Sequence, residues 1–145
     1  MIQIYTDGSC KKGGDGGWGV AVYEDNILVS ELFGGELDTT NNRMELLAFI
    51  KALQYAYDNN IRDAEVFSDS MYVIKGTTEW LRNWIAKDYS GVKNCDMWRR
   101  IEKANFIWGT MNIQHIKGHA GHEGNEKADA LANRGVSELR SGVWK

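Results

Sequence analysis

Residues 39–60, TTNNRMELLAFIKALQYAYDNN, decide the fold, because the period of the apolar residues changes here. Leu46, Phe49, Ile50, Leu53, Ala56 and Tyr57 recur at the three- and four-residue spacings that line one side of an α-helix. Thr39-Thr40-Asn41-Asn42 supplies cap-type side chains before it, and Asn59-Asn60 ends it. Upstream the period is two. Residues 2–7 alternate as a strand, a Gly-rich turn follows at Gly13-Gly14-Asp15-Gly16-Gly17, and residues 18–23 are β-prone. Asp25-Asn26 reads as a hairpin turn into residues 27–33. Three strands joined so tightly pair most economically as antiparallel neighbours. Downstream, residues 65–68 form a short strand, and residues 70–84 read as helix interrupted at Gly76. A further helix covers 96–104, a last strand 111–117, and Ala128, Leu131, Ala132, Gly135, Val136 and Leu139 give a final helical stripe. Strands first, then alternating helices and strands, predict an α/β protein whose mixed sheet is covered by helices.

The chain has 145 residues, enough for a single domain spanning 1–145. Apolar residues make up 43% and charged ones 26%, the balance of an ordinary globular protein rather than a disordered one. The apolar run at 46–50 is far too short to cross a bilayer, and the N-terminus lacks a basic segment with a cleavage site. Two cysteines, Cys10 and Cys95, make no disulfide framework or CxxC pair, so a reducing, cytoplasmic setting is expected. Cys10 reads as a small packing residue, with no basic partner near it in sequence to activate it. Net charge is −3, which argues weakly against a nucleic-acid partner. Its distribution argues the other way. Residues 75–103 hold four Lys and three Arg against Glu79, Asp88, Asp96 and Glu102, a local +3 that leaves −6 elsewhere. A basic surface beside an acidic site would have this asymmetry.

Four acids occupy element borders. Asp7 follows the first strand, where a turn aspartate is the plain alternative. Glu45 lies three residues after Asn42, as a capping-box glutamate would, yet it shares a helical side with Phe49 and Ala52. Asp69 stands between a strand and a helix, a position that also suits an N-cap. Asp129 adjoins Ala128 at the border of an apolar helix face, where a solvated flank residue is the simpler reading. Taken together, four acids facing inward form an oxygen-donor set of the kind Mg²⁺ requires. Two such ions about 4 Å apart can activate a water and stabilise a leaving oxygen in phosphodiester hydrolysis.

Five blocks then occur in order: Thr6-Asp7-Gly8-Ser9-Cys10, Thr40-Asn41-Asn42-Arg43-Met44-Glu45-Leu46, Ser68-Asp69-Ser70, Lys117-Gly118-His119-Ala120-Gly121-His122, and Asn125-Glu126-Lys127-Ala128-Asp129. The set closely resembles the type 1 ribonuclease H family, from Met1 to about Gly135. The resemblance implies a five-stranded mixed sheet, three antiparallel strands then two parallel, flanked by helices. It implies an endonuclease that hydrolyses the RNA strand of RNA–DNA hybrids by a two-metal-ion mechanism, leaving 5′-phosphate and 3′-hydroxyl ends. Asp7, Glu45, Asp69 and Asp129 resemble the family's metal-binding carboxylates, holding two Mg²⁺ with substrate bound, and Mn²⁺ able to substitute. His119 resembles its auxiliary histidine, which assists proton transfer or product departure; solvent exposure in a Gly-rich loop is the plain alternative. Asn41 and Asn42 resemble minor-groove contacts, where 2′-hydroxyls distinguish RNA from DNA. Thr40 resembles a DNA-phosphate contact, Met71 a further substrate contact, and Trp80 and Trp84 the channel for the DNA strand, with core packing as the alternative for Trp84.

Two departures stand out. The family's Gly-Asn-Pro-Gly-type turn is replaced by Lys11-Lys12-Gly13-Gly14-Asp15. The long lysine-rich protrusion of many bacterial members is replaced by a short, nearly neutral stretch at 85–91. The expected protein is a cytoplasmic monomer with an RNA–DNA hybrid as its partner, no membrane association and no obligatory protein partner. A hybrid-binding module without catalysis and the ribonuclease H domain of a reverse transcriptase are the alternatives.

Overall fold

The computed structural model describes residues 1–108, 112–117 and 122–139, with backbone alone for 105–108. Three strands open it: β1 (Ile2–Cys10), β2 (Gly16–Glu24) and β3 (Ile27–Glu36). Asp25 and Asn26 both take positive φ, 51° and 69°, as a tight hairpin turn between right-twisted strands requires. Helix α1 (Asn41–Asp58) follows, then β4 (Ala64–Ser68), α2 (Met71–Lys75), a π-helical turn (Gly76–Trp80), α3 (Leu81–Ala86), α4 (Cys95–Trp108), β5 (Asn112–His115) and α5 (Glu123–Glu138).

The strands form one sheet in the order β3-β2-β1-β4-β5. β1 pairs antiparallel with β2 and β2 with β3, whereas β4 runs parallel to both β1 and β5. The expected mixed sheet is therefore present. Ile4, Val20, Val22 and Val66 meet Leu46, Phe49, Ile50 and Leu53 of α1 in the main core, which Met97, Trp98 and Ile101 of α4 extend. Each fully buried aliphatic or aromatic side chain here contributes about 1.5–3 kcal/mol. On the opposite face, Tyr5 and Tyr23 pack with Leu131 of α5.

Several sequence expectations are corrected. β1 continues beyond residue 7 to Cys10, because it pairs with β2 through Cys10–Gly16, and Gly16-Gly17 belongs to β2 rather than to the turn. Tyr57, placed on the apolar stripe, is 55% exposed because it edges an open groove between α1 and α4 rather than entering the core. The interruption at Gly76 is a π turn, which changes the backbone hydrogen-bond spacing without ending the helical run. Met111, expected to begin the last strand, lies outside the described residues.

Candidate active site

Alternation along β1 sends Tyr5 towards α5, where Gly124 meets its ring, and Gly8 towards α1, where it meets Met44 and Glu45. Asp7 shares the parity of Tyr5. It is not at a chain turn, since it pairs with Gly19 inside the antiparallel ladder. What ends beside it is the parallel ladder: β1 and β4 pair from Ile2–Ala64 to Thr6–Ser68. Asp7 and Asp69 are thus the next residues past the end of this parallel ladder, at the carboxyl end of β4, the end where α/β sheets leave room for ligands.

Two glycines allow the helices to close on this point. A Cβ on Gly8 would overlap the backbone of Met44 and Glu45, so only glycine lets the first turns of α1 rest on β1. A Cβ on Gly19 would overlap the Ala128 carbonyl oxygen, so α5 can lie directly on β2 and bring Asp129 to Asp7. One carboxylate oxygen from each of Asp7, Glu45 and Asp69 lies within 4.8 Å of the others. Asp129 stands beside Asp7 and completes the group.

The capping alternatives for these acids fail on geometry. Thr40 caps α1, its side chain accepting from the Arg43 N–H, so Glu45 is too far along the helix to close a capping box with it. Ser70 caps α2 by accepting from the Val73 N–H, which leaves Asp69 outside the cap. Asp7 is 5% exposed and Glu45 7%, and among the described residues no Lys, Arg or His pairs with any of the four acids. Glu45 Oε1 is buried without a hydrogen-bond partner among the described residues. Asp7 accepts one hydrogen bond, 2.9 Å from the Gly8 N–H.

Burial raises the Asp7 carboxyl well above the usual carboxylate range, and the Asp69 and Asp129 charges raise it further. Burial likewise raises Glu45, with Asp7 and Asp69 adding to the effect. Buried, mutually repelling oxygens without a protein cation suit a hard divalent ion, which would neutralise them.

Thr40, Asn41 and Asn42 are exposed at the start of α1, one turn before Glu45. Met71 is exposed beyond Asp69, and Trp80 is exposed on the π turn. Trp84 combines the expected role and its alternative in position. It is half-buried against the core, yet its ring lies 5.8 Å from Trp80 and 5.0 Å from the buried Trp98. Trp98 was not singled out by its sequence, although its spacing to Ile101 places it on the apolar side of α4. Cys10 is half-buried, with Sγ 3.5 Å from the Thr39 carbonyl oxygen, as a small packing residue would be. His119, and with it Gly118, Ala120 and Gly121, lies outside the described residues. Asn125, quoted above only as part of a motif, is 4% exposed with an unpartnered carboxamide oxygen. Its burial was legible only as the neighbour of the stripe beginning at Ala128.

The sheet order and the acid cluster define a class, and comparison with known proteins makes it specific. A model of the RNase H family matches residues 1–137, and the chain belongs to the ribonuclease H family, type 1. It is 49% identical over 148 residues to a ribonuclease H of Hahella chejuensis, covering 94% of each chain. It is 49% identical over 145 residues to one of Paracidovorax citrulli, covering 95% of each. Among solved structures it resembles LC9-RNase H1, a type 1 RNase H with the type 2 active-site motif. That match has a TM-score of 0.84 at 29% identity and covers 95% of this chain and 72% of the other.

Proposed function

We propose that this ribonuclease H hydrolyses the RNA strand of RNA–DNA hybrids by a two-metal-ion mechanism, leaving 5′-phosphate and 3′-hydroxyl ends. The observation that carries the reading is the convergence of Asp7, Glu45 and Asp69 within 4.8 Å, with no cation of the described protein to balance them. Asp7, Glu45, Asp69 and Asp129 hold the ions, Mg²⁺ or in its place Mn²⁺, two when substrate is bound. Bound there, they supply Lewis-acid polarisation of the scissile phosphate and a water acidic enough to attack near neutral pH.

The protein's own part is placement. The exposed start of α1 offers the Asn41 and Asn42 amides to the minor groove, where the 2′-hydroxyl marks the RNA strand. Thr40, beside them, takes a phosphate of the DNA strand. Met71, Trp80 and Trp84 flank the hybrid on the other side of the acids, and His119 handles a proton or the departing product. We place these activities in a cytoplasmic monomer made of one domain, 1–145. Incubation with labelled RNA–DNA hybrid, duplex DNA and duplex RNA, each with Mg²⁺ and with chelator, tests the proposal. Cleavage is expected only of the hybrid and only with metal. Cutting in chelator would contradict it, and binding without cutting in Mg²⁺ would leave a hybrid-binding module.

A further inference from the structure

Asn125 sits one helical turn before Asp129 on the same side of α5, and Asp129 adjoins Asp7. It is 4% exposed, and among the described residues its carboxamide oxygen accepts no hydrogen bond. A buried acceptor left without a donor lowers stability, and folded proteins seldom keep one without a use. Once ionised around a bound cation, the neighbouring carboxylates accept hydrogen bonds and have none to give. Asn125 therefore offers a neutral acceptor one turn from Asp129, and no described residue supplies its donor.

We propose that Asn125 is a positioning residue for the cation site, its Oδ1 accepting a hydrogen bond from a water that hydrates a divalent ion held by Asp129 and Asp7. Such a water directs its oxygen at the ion and both hydrogens outward, so each needs an acceptor. Carboxylates could serve, but a fifth one would add to the repulsion already present among Asp7, Glu45, Asp69 and Asp129. An amide supplies the acceptor without the charge. That is the chemical reason for Asn at this position. The inference rests on the metal-site reading above and adds to it a residue that touches no ion directly.

The test is thermal melting of wild type, Asn125→Leu and Asn125→Asp in chelator and across a Mg²⁺ titration, with hybrid affinity measured in chelator alongside. Leu keeps the branching of Asn and removes its polar atoms. In chelator Asn125→Leu should melt no lower than wild type, while its apparent Mg²⁺ affinity should fall about 10–100-fold, the usual consequence of losing a partner of a metal's ligand shell. Asn125→Asp keeps an acceptor, so it should retain Mg²⁺ binding at neutral pH and melt lower in chelator. If Asn125→Leu melted well below wild type in chelator with unchanged Mg²⁺ affinity, Asn125 would be a structural residue and the proposal would fall. It would also fall if Mg²⁺ affinity held and only hybrid affinity dropped, because the donor would then be a substrate hydroxyl. A wild type that showed no Mg²⁺ shift at all would overturn the metal-site reading itself, a result distinct from either of these.

Discussion

The acid end of the sheet and the helical limb formed by α2, the π turn, α3 and α4 satisfy their polar groups in opposite ways. In the limb several polar side chains pair with one another across elements. Arg43 reaches across from α1 to Asp96 at 2.8 Å and to Asn94 at 3.1 Å. Asn94 donates in turn to the Tyr72 hydroxyl, which also accepts from the Trp98 indole N–H. The buried Tyr89 donates to Glu102 at 2.7 Å. At the acid end, Asp7 and Glu45 are buried without a cation among the described residues, and Glu45 Oε1 and Asn125 Oδ1 accept nothing from those residues. The limb is built to be stable, and the acid end is built to bind. The same kind of substitution, removal of one polar group, should therefore change stability with opposite signs in the two regions.

The largest expected effect is on chemistry. Asp69→Asn keeps the shape of the side chain and removes a charge from the ion-binding set. Cleavage should fall by about 10⁴-fold, the scale on which loss of one member of a catalytic set acts, with circular dichroism and hybrid binding little changed. A rate within about tenfold of wild type would separate Asp69 from the other acids and break the comparison.

Gly8→Ala asks whether the acid end depends on the close contact of β1 and α1. A methyl group there meets the backbone at Met44 and Glu45, which cannot yield as a flexible side chain could. Overpacking costs about 1–3 kcal/mol, and it should also displace Glu45 and depress cleavage. Denaturant unfolding with parallel rate measurements checks both. An unchanged midpoint would mean that α1 can shift off β1 without loss.

In the limb, Tyr89→Phe removes the donor to Glu102. Since Glu102 is partly exposed, the loss should be about 1–2 kcal/mol, or a melting temperature lower by about 2–6 °C. Cleavage should be unaffected. A variant as stable as wild type would show that the limb's hydrogen bonds contribute less than their geometry implies.

Which parts of the molecule could be read from sequence follows from the same contrast. The period change at residues 39–60 gave α1 its place, and Thr40 was among the cap-type residues named for its start. The Asp25-Asn26 hairpin was legible because few residue pairs tolerate two positive φ values. The acids were legible as a set because the sequence pattern sets each at the edge of a strand or of an apolar helix face. In the structure only Asp69 lies between elements, with Asp7 inside β1, Glu45 inside α1 and Asp129 inside α5. Their capping alternatives could be dismissed only with coordinates, since Asp69 and Ser70 are neighbours of equal capping ability and only backbone geometry selects Ser70. The extension of β1 to Cys10 was hidden by Gly8 and Ser9, which have poor strand propensity and are held there by pairing with β2. The π turn left no local signal beyond Gly76. The approach of Trp84 to Trp98 joins α3 to α4, a contact that no periodicity within either helix encodes.

The central claim is that the metal-free acid end destabilises the fold, and melting curves of Asp7→Asn against wild type in chelator test it most directly. The folded-state carboxyls of Asp7 and Glu45 are raised above the ordinary value of about 4. The native state therefore binds more protons than the unfolded chain. The penalty is absent below the unfolded value, grows as pH rises towards the folded values, and is complete above them. At neutral to mildly alkaline pH, Asp7→Asn should melt above wild type by about 2–4 °C for each kcal/mol of repulsion removed. The gain should vanish near pH 4. Mg²⁺ should raise the melting temperature of wild type at neutral pH by stabilising the native state alone. An Asp7→Asn protein no more stable than wild type at neutral pH in chelator would contradict the account.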